Sequence, residues 1–130
     1  MSDPELIRST ILVVDDEKNL RSMLEHVLSF HGYDVLGADS AEAALELVRE
    51  HHPDLVVTDL KMPGRGGLDL IQEIRAEAAN EKIMIIAITG NITTTMTRAG
   101  EIGANTTLLK PFSPAEFIAE VRKLLGQKQA

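Results

Sequence analysis

The sequence predicts an α/β protein in which five strand-and-helix units form one doubly wound parallel sheet with helices on both faces. Three observations predict it. Short β-branched runs alternate with longer segments of helical periodicity, as repeated strand and crossover-helix units require. The fourth run, Ile83–Ile88, is apolar throughout, as a strand covered on both faces should be. Four of the runs end on reactive polar side chains: Ile11–Val14 on Asp15 and Asp16, Leu55–Thr58 on Asp59, Ile83–Ile88 on Thr89, and Thr106–Leu109 on Lys110. Ligands bind such sheets at the carboxyl ends of the strands, so these residues should converge although they span most of the chain.

Taken in order, Ile11–Val14 is the first strand, and Lys18–His31 follows with Leu20, Met23, Leu24, Val27 and Leu28 at helical spacings and Gly32 as its stop. Tyr33–Gly37 is the second strand. Asp39 or Ser40 can cap the helix Ala41–His51, whose Ala44, Leu45, Leu47 and Val48 form an apolar face before Pro53 forbids continuation. Leu55–Thr58 is the third strand. The loop Leu60–Gly67 carries the turn signals Pro63-Gly64 and Gly66-Gly67, after which Leu68–Ala79 resumes helical spacing until Asn80. The helix after the fourth strand is the weakest, because Thr93, Thr94, Thr95 and Thr97 are poor helix formers; Gly100 and Gly103 bracket its end. The last helix is the best specified: Ser113-Pro114-Ala115-Glu116 offers an N-cap, a proline at the first helical position and a capping-box glutamate ahead of Phe117, Ile118, Val121, Leu124 and Leu125.

At 130 residues the chain fits a single domain, residues 1–130 with a core from about 10 to 125, and no output domain within it. With 44% hydrophobic and 25% charged residues it reads as globular rather than disordered. Thirteen basic against twenty acidic residues leave a net charge of −7, which predicts no direct binding of nucleic acid, since counterion release needs clustered Lys and Arg. Without cysteine there is neither a disulfide framework nor thiolate chemistry, in keeping with a reducing compartment. The longest apolar run is far too short to cross a bilayer and Met1–Thr10 lacks a signal core, so the expectation is a cytoplasmic protein without membrane insertion.

The converging residues have a shared chemistry. Three carboxylates in one pocket repel one another and call for a hard cation, while a hydroxyl and an ammonium nearby suit a phosphoryl group. The motifs stand as Ile11-Leu12-Val13-Val14-Asp15-Asp16-Glu17, Asp59-Leu60-Lys61-Met62-Pro63-Gly64, Thr89-Gly90 and Lys110-Pro111-Phe112. From Ile11 to Leu125 the chain resembles the receiver domain of two-component response regulators, with these motifs in that family's order and spacing. The short tail Gly126–Ala130 favours a stand-alone regulator of the chemotaxis type, or a phosphorelay intermediate.

The resemblance implies a flavodoxin-like fold with strand order 2-1-3-4-5 and a phosphorylation switch rather than an enzyme acting on a separate substrate. Asp59 would be the nucleophile that takes a phosphoryl group from a phosphohistidine of a histidine kinase or histidine phosphotransfer protein. Asp16, Asp59 and the backbone carbonyl of Lys61 would ligate Mg²⁺, or Mn²⁺ as a substitute, with Asp15 acting through water. Lys110 would stabilise phosphoryl charge, and Thr89 would donate its hydroxyl to the modified site, with Gly90 leaving that approach open. A cis peptide is expected at Lys110-Pro111. The output would be binding to an unidentified protein through the face of the fourth helix, fifth strand and fifth helix.

Blander readings compete with some of these. Single aspartates at strand ends are commonly caps or turn residues; adjacency and Asp59 argue otherwise here. The pair His51-His52 stands before a proline at a helix end, and no further Cys or His lies at ligand spacing, so both are read as exposed, as are His26 and His31. Met23, Met62, Met84 and Met96 are scattered gap fillers. A flavodoxin-like electron carrier would want a hydroxyl- and glycine-rich phosphate loop where this chain has Asp15-Asp16-Glu17. An aspartyl phosphatase of the haloacid dehalogenase type places two aspartates two residues apart after the first strand, whereas Asp15 and Asp16 are adjacent. A degenerate receiver serving only as a binding module is opposed by the intact Asp16, Asp59, Thr89 and Lys110.

Three positions depart from or modulate the pattern. Where many receivers carry an aromatic residue three positions before the lysine, this chain has Thr107, so coupling by an aromatic rotamer is unavailable. The expectation is that the signal leaves through the Thr89–Thr97 backbone and the threonine-rich helix. Lys61 and Asn91, two residues beyond Asp59 and Thr89, flank the reactive face and should influence how readily water reaches the acyl phosphate.

Overall fold

The computed structural model describes residues 8–62, 64, 66–90 and 94–126. Its elements are β1 (Thr10–Val14), α1 (Lys18–Phe30), β2 (Asp34–Ala38), α2 (Ala41–His51), β3 (Leu55–Asp59), α3 (Gly67–Ala76), a 3₁₀ turn (Ala78–Asn80), β4 (Met84–Thr89), α4 (Thr94–Glu101), β5 (Thr106–Leu109) and α5 (Pro114–Leu125). The five strands form one sheet in the order β2-β1-β3-β4-β5, every pairing parallel. The doubly wound α/β architecture and its strand order are as expected.

Strand alternation builds two cores. Leu12, Val14, Val56, Ile85 and Ala87 face α2 and α3, meeting Ala44, Leu45, Val48, Leu70, Ile71 and Ile74. Their neighbours Ile11, Val13, Leu55, Val57, Ile86 and Ile88 face α1 and α5, meeting Leu24, Leu28, Phe117, Ile118 and Val121. Burial of both faces explains why the central strands read as unbroken apolar runs rather than alternating ones.

Local signals set most boundaries. Ser40 caps α2 by accepting from the Ala43 N–H at 3.1 Å. The capping box of α5 is complete, with Glu116 N–H donating to Ser113 Oγ at 3.0 Å and Ser113 N–H donating to Glu116 Oε1 at 2.8 Å. Several boundaries differ from expectation by a residue or more, β4 at Met84–Thr89 rather than Ile83–Ile88 for one, and two of the differences have a visible local cause. β2 runs from Asp34 to Ala38 rather than Tyr33–Gly37, because the Tyr33 N–H turns back to the Leu28 carbonyl at 3.2 Å and Ala38 pairs with Val14. α3 stops at Ala76 rather than Ala79; the buried Asn80 reaches back to donate Nδ2–H to the Ile74 carbonyl at 3.0 Å, ending the helix with its side chain.

Arg75 ties the end of α3 to the segment after α4. Its Nε–H donates to the Gly103 carbonyl at 3.1 Å, its Nη1 to the Asn80 carbonyl at 3.2 Å and its Nη2 to Asn105 Oδ1 at 3.0 Å. The same Asn105 oxygen accepts from the Ile85 N–H at 2.7 Å, so the network reaches the start of β4. Gly103 sits at φ +122° and a Cβ there would meet Arg75 Cγ at 2.6 Å, so glycine serves both the turn and the approach of the guanidinium. Replacing Arg75 with Met is expected to lower the unfolding free energy by about 2 kcal/mol in urea titrations, because several carbonyl acceptors lose a charged donor together.

Candidate functional site

The register of the sheet brings the reactive residues together. Val14 pairs with Thr58, so Asp15 and Asp59 leave adjacent strands side by side. Asp15 extends the ladder by one bond, its N–H donating to the Ala38 carbonyl at 3.1 Å, and is 2% exposed. Its Oδ1 accepts from the Glu17 N–H at 2.8 Å, whereas its Oδ2 is buried without a hydrogen-bond partner among the described residues. Asp59, also buried, accepts from the Lys61 N–H on Oδ1 at 2.8 Å and from the Lys110 ammonium on Oδ2 at 2.7 Å. Lys110 comes from the end of β5, where its N–H donates to the Thr89 carbonyl at 2.8 Å and the following peptide, Lys110–Pro111, is cis.

These residues line an open depression of about 440 Å³ formed by Asp15, Asp16, Glu17, Asp59, Lys61, Met62 and Lys110. Asp16 and Lys61 are exposed at its mouth. Thr89 stands buried at the end of β4, next to the depression rather than lining it. Gly90 is exposed, and a Cβ there would meet nothing within 4 Å, so packing does not demand the glycine in this state. Thr107 pairs with Ala87 and is half-buried. Asn91 lies outside the described residues. His26, His31, His51 and His52 are all exposed, and Met62 is buried in the core.

The electrostatics follow from burial and crowding. Burial pushes the Asp15 carboxyl up to about 6, with the charges of Asp59 and Asp16 acting in the same direction; the Glu17 N–H and the Lys110 charge only partly offset them. Burial pulls the Lys110 ammonium down, but its hydrogen bond to Asp59 and the charges of Asp59, Asp15 and Glu17 more than offset this and hold it above its ordinary value. Lys110 is therefore a cation at neutral pH. Among the described residues no three His, Cys, Asp or Glu side chains close a metal cage by themselves. Mg²⁺ does not require one: it keeps several waters and takes only one or two carboxylates. A buried Asp15 Oδ2 without a donor beside Asp59, with Asp16 at the rim, is a donor set that fits such an ion.

The family model for the response regulator receiver domain matches residues 11–122. The chain belongs to the response regulator receiver family. Among relatives of this receiver, the probable transcriptional regulator ycf27 of Porphyridium aerugineum is 42% identical over 118 residues, covering 91% of the chain and 48% of the relative. The DNA-binding response regulator MtrA of Mycolicibacterium smegmatis is 37% identical over 125 residues, covering 96% and 54%. The receiver thus spans about half the length of these curated relatives. A crystal structure assigned to a response regulator of Chloroflexus aurantiacus superposes with a TM-score of 0.87 at 34% identity, covering 92% of the receiver and 99% of that chain.

Two expectations are corrected by these relatives. A stand-alone regulator of the chemotaxis type is not supported, since the relatives are named as transcriptional and DNA-binding regulators and are about twice as long. The exclusion of direct nucleic-acid binding falls with it: the charge of −7 describes these 130 residues only and says nothing of basic residues elsewhere in a longer regulator. No helix among the described residues is long and apolar enough to cross a membrane.

Sequence reasoning missed Glu17 and Met62 as lining residues, and it took Gly67 only for a turn signal. A Cβ on Gly67 would collide with the Asp59 carbonyl oxygen and lie 2.7 Å from Leu60 Cα. The first turn of α3 therefore rests on the backbone of the candidate nucleophile. Gly67→Ala is expected to cost about 2 kcal/mol of stability, since rigid backbone must move, and to shift the Asp59 and Lys61 amide resonances.

Proposed function

We propose that this receiver accepts a phosphoryl group on Asp59 from a phosphohistidine of a histidine kinase or histidine phosphotransfer protein, and that the modification acts as a signalling switch in a cytoplasmic two-component system. One observation carries the reading: a buried carboxylate is gripped on one oxygen by the Lys61 N–H and on the other by the Lys110 ammonium, beside a second buried carboxylate with an unpartnered oxygen. An Asp59 oxygen forms the new bond to phosphorus while the bond from phosphorus to the histidine nitrogen breaks, and that nitrogen keeps the electron pair. Lys110 compensates charge on the phosphoryl oxygens, and Thr89, next to the site at the end of β4, donates its hydroxyl to the modified group.

Asp16, Asp59 and the Lys61 carbonyl would hold Mg²⁺, or Mn²⁺ in its place, with Asp15 acting through water, and the ion would supply positive charge to the carboxylates and to the transferring group. The relatives named for transcription and DNA binding support an output through DNA, with the DNA contacts made outside this acidic receiver.

Intact-mass measurement after incubation with Mg²⁺ and acetyl phosphate tests the proposal. A single added phosphoryl group on the wild type, absent from Asp59→Asn, is the expected result. An unmodified wild type, or equal modification of the variant, would overturn it.

A further inference from the structure

Arg21, on α1, has no part in the chemistry described so far, yet it bonds to the backbone of Asp15, a residue that lines the pocket. Its side chain is only 20% exposed, and its Nη1 donates to the backbone carbonyl of Asp15 at 2.9 Å. That carbonyl belongs to the peptide joining Asp15 to Asp16. The preceding peptide is fixed by the bond from Asp15 N–H to the Ala38 carbonyl at 3.1 Å, and the carboxylate by the Glu17 N–H at 2.8 Å. Arg21 supplies the remaining constraint on Asp15, and it orients the link to Asp16.

The guanidinium is itself placed. Its Nε lies 3.8 Å from Glu25 Oε2, one helical turn further along α1. The Glu25 carboxylate lies over Gly37 of β2, where a Cβ would collide with it and would meet Arg21 Cδ at 3.7 Å. The bare backbone at Gly37 thus forms a slot that receives the pair. A partly exposed ion pair of this length is worth little by itself. The informative contact is the hidden guanidinium on the carbonyl of a residue that lines the depression, because loss of a group that orients metal ligands costs about 10–100-fold in metal affinity.

We propose that Arg21 is a positioning residue, which holds the Asp15–Asp16 peptide in the arrangement that binds the divalent cation. The proposal rests on the reading of the pocket as a Mg²⁺-dependent phosphoryl acceptor. A simple anchor between α1 and β1 would change stability without changing cation affinity, so both are measured.

Calorimetric titration with MgCl₂ gives the dissociation constant, and urea unfolding in Mg²⁺-free buffer reports the fold. Arg21→Met is expected to weaken Mg²⁺ binding about tenfold at a temperature where it is fully folded. Arg21→Lys should recover part of the loss, because an ammonium can still donate to the carbonyl. Wild-type affinity in folded Arg21→Met overturns the proposal. Wild-type affinity in Asp59→Asn would instead overturn the reading of the pocket, leaving the two failures distinguishable. The wild type supplies a readout that needs no variant to fold: the Arg21 Nε–H resonance should shift along the same Mg²⁺ titration curve as the Glu17 amide. A resonance that stays still overturns the role assigned to Arg21.

Discussion

Replacing Asp15 with Asn is expected to raise the free energy of unfolding by about 3 kcal/mol near pH 7.5 in Mg²⁺-free buffer, and to change it little near pH 3. The sign follows from the direction of the shift. Burial lifts the folded-state value from 3.8 to about 6, with the Asp59 and Asp16 charges adding to it. Below about pH 3.8 both states carry the proton and the group is neutral to stability. As pH rises from there to about 6 the unfolded chain releases the proton while the folded chain retains it, so stability falls, and above 6 the full penalty is present. A shift of about two units corresponds to about 3 kcal/mol at 1.36 kcal/mol per unit. Asparagine keeps an oxygen for the Glu17 N–H while removing the charge. Urea unfolding of both proteins across this pH range checks the expectation; a difference that does not vary with pH would show that the carboxyl is not strained by its site. Added Mg²⁺ should stabilise the wild type by mass action and the variant much less.

The second large effect concerns Lys110. Its Nζ stands 2.7 Å from Asp59 Oδ2 and remains charged at neutral pH, which makes it a preformed cation beside the carboxylate proposed to accept the phosphoryl group. Preorganised donors of this kind are worth about 10²–10³ in rate. Lys110→Met should therefore slow phosphoryl uptake from acetyl phosphate by about that factor, followed by time-resolved intact mass, while binding Mg²⁺ at least as tightly, because a competing cation has left Asp59. Uptake at the wild-type rate would reduce Lys110 to a tether between β5 and β3.

What the sequence disclosed depended on how far each signal had to reach. The start of α5 was legible because Ser113 and Glu116 cap one another within four residues. Asp15, Asp16, Asp59, Thr89 and Lys110 were legible as a group because a parallel sheet gathers its strand ends whatever their separation in the chain. Arg75 could not be read in the same way, since its acceptors Gly103 and Asn105 lie in the segment between α4 and β5 and only the packing of α3 against α4 brings them near. Gly67 carried a visible signal, a double glycine, whose meaning lay in a contact with the Asp59 backbone that no local pattern encodes. The misplaced start of β2 has a similar origin: Tyr33 has strand propensity, but its N–H completes the end of α1. The charge argument against DNA erred because the charge of these 130 residues does not describe regulators of the relatives' length.

The pairing of Val14 with Thr58 has a mechanical side. It places Asp15 and Asp59 on neighbouring strands, whose separation of about 4.8 Å is fixed by backbone hydrogen bonds rather than by the side chains themselves. The two backbones cannot drift apart to relieve the repulsion of their carboxylates, because that would tear the ladder beneath them. The sheet works as a vice on the roots of the two side chains, and relief comes from a proton, from Lys110 or from an arriving cation.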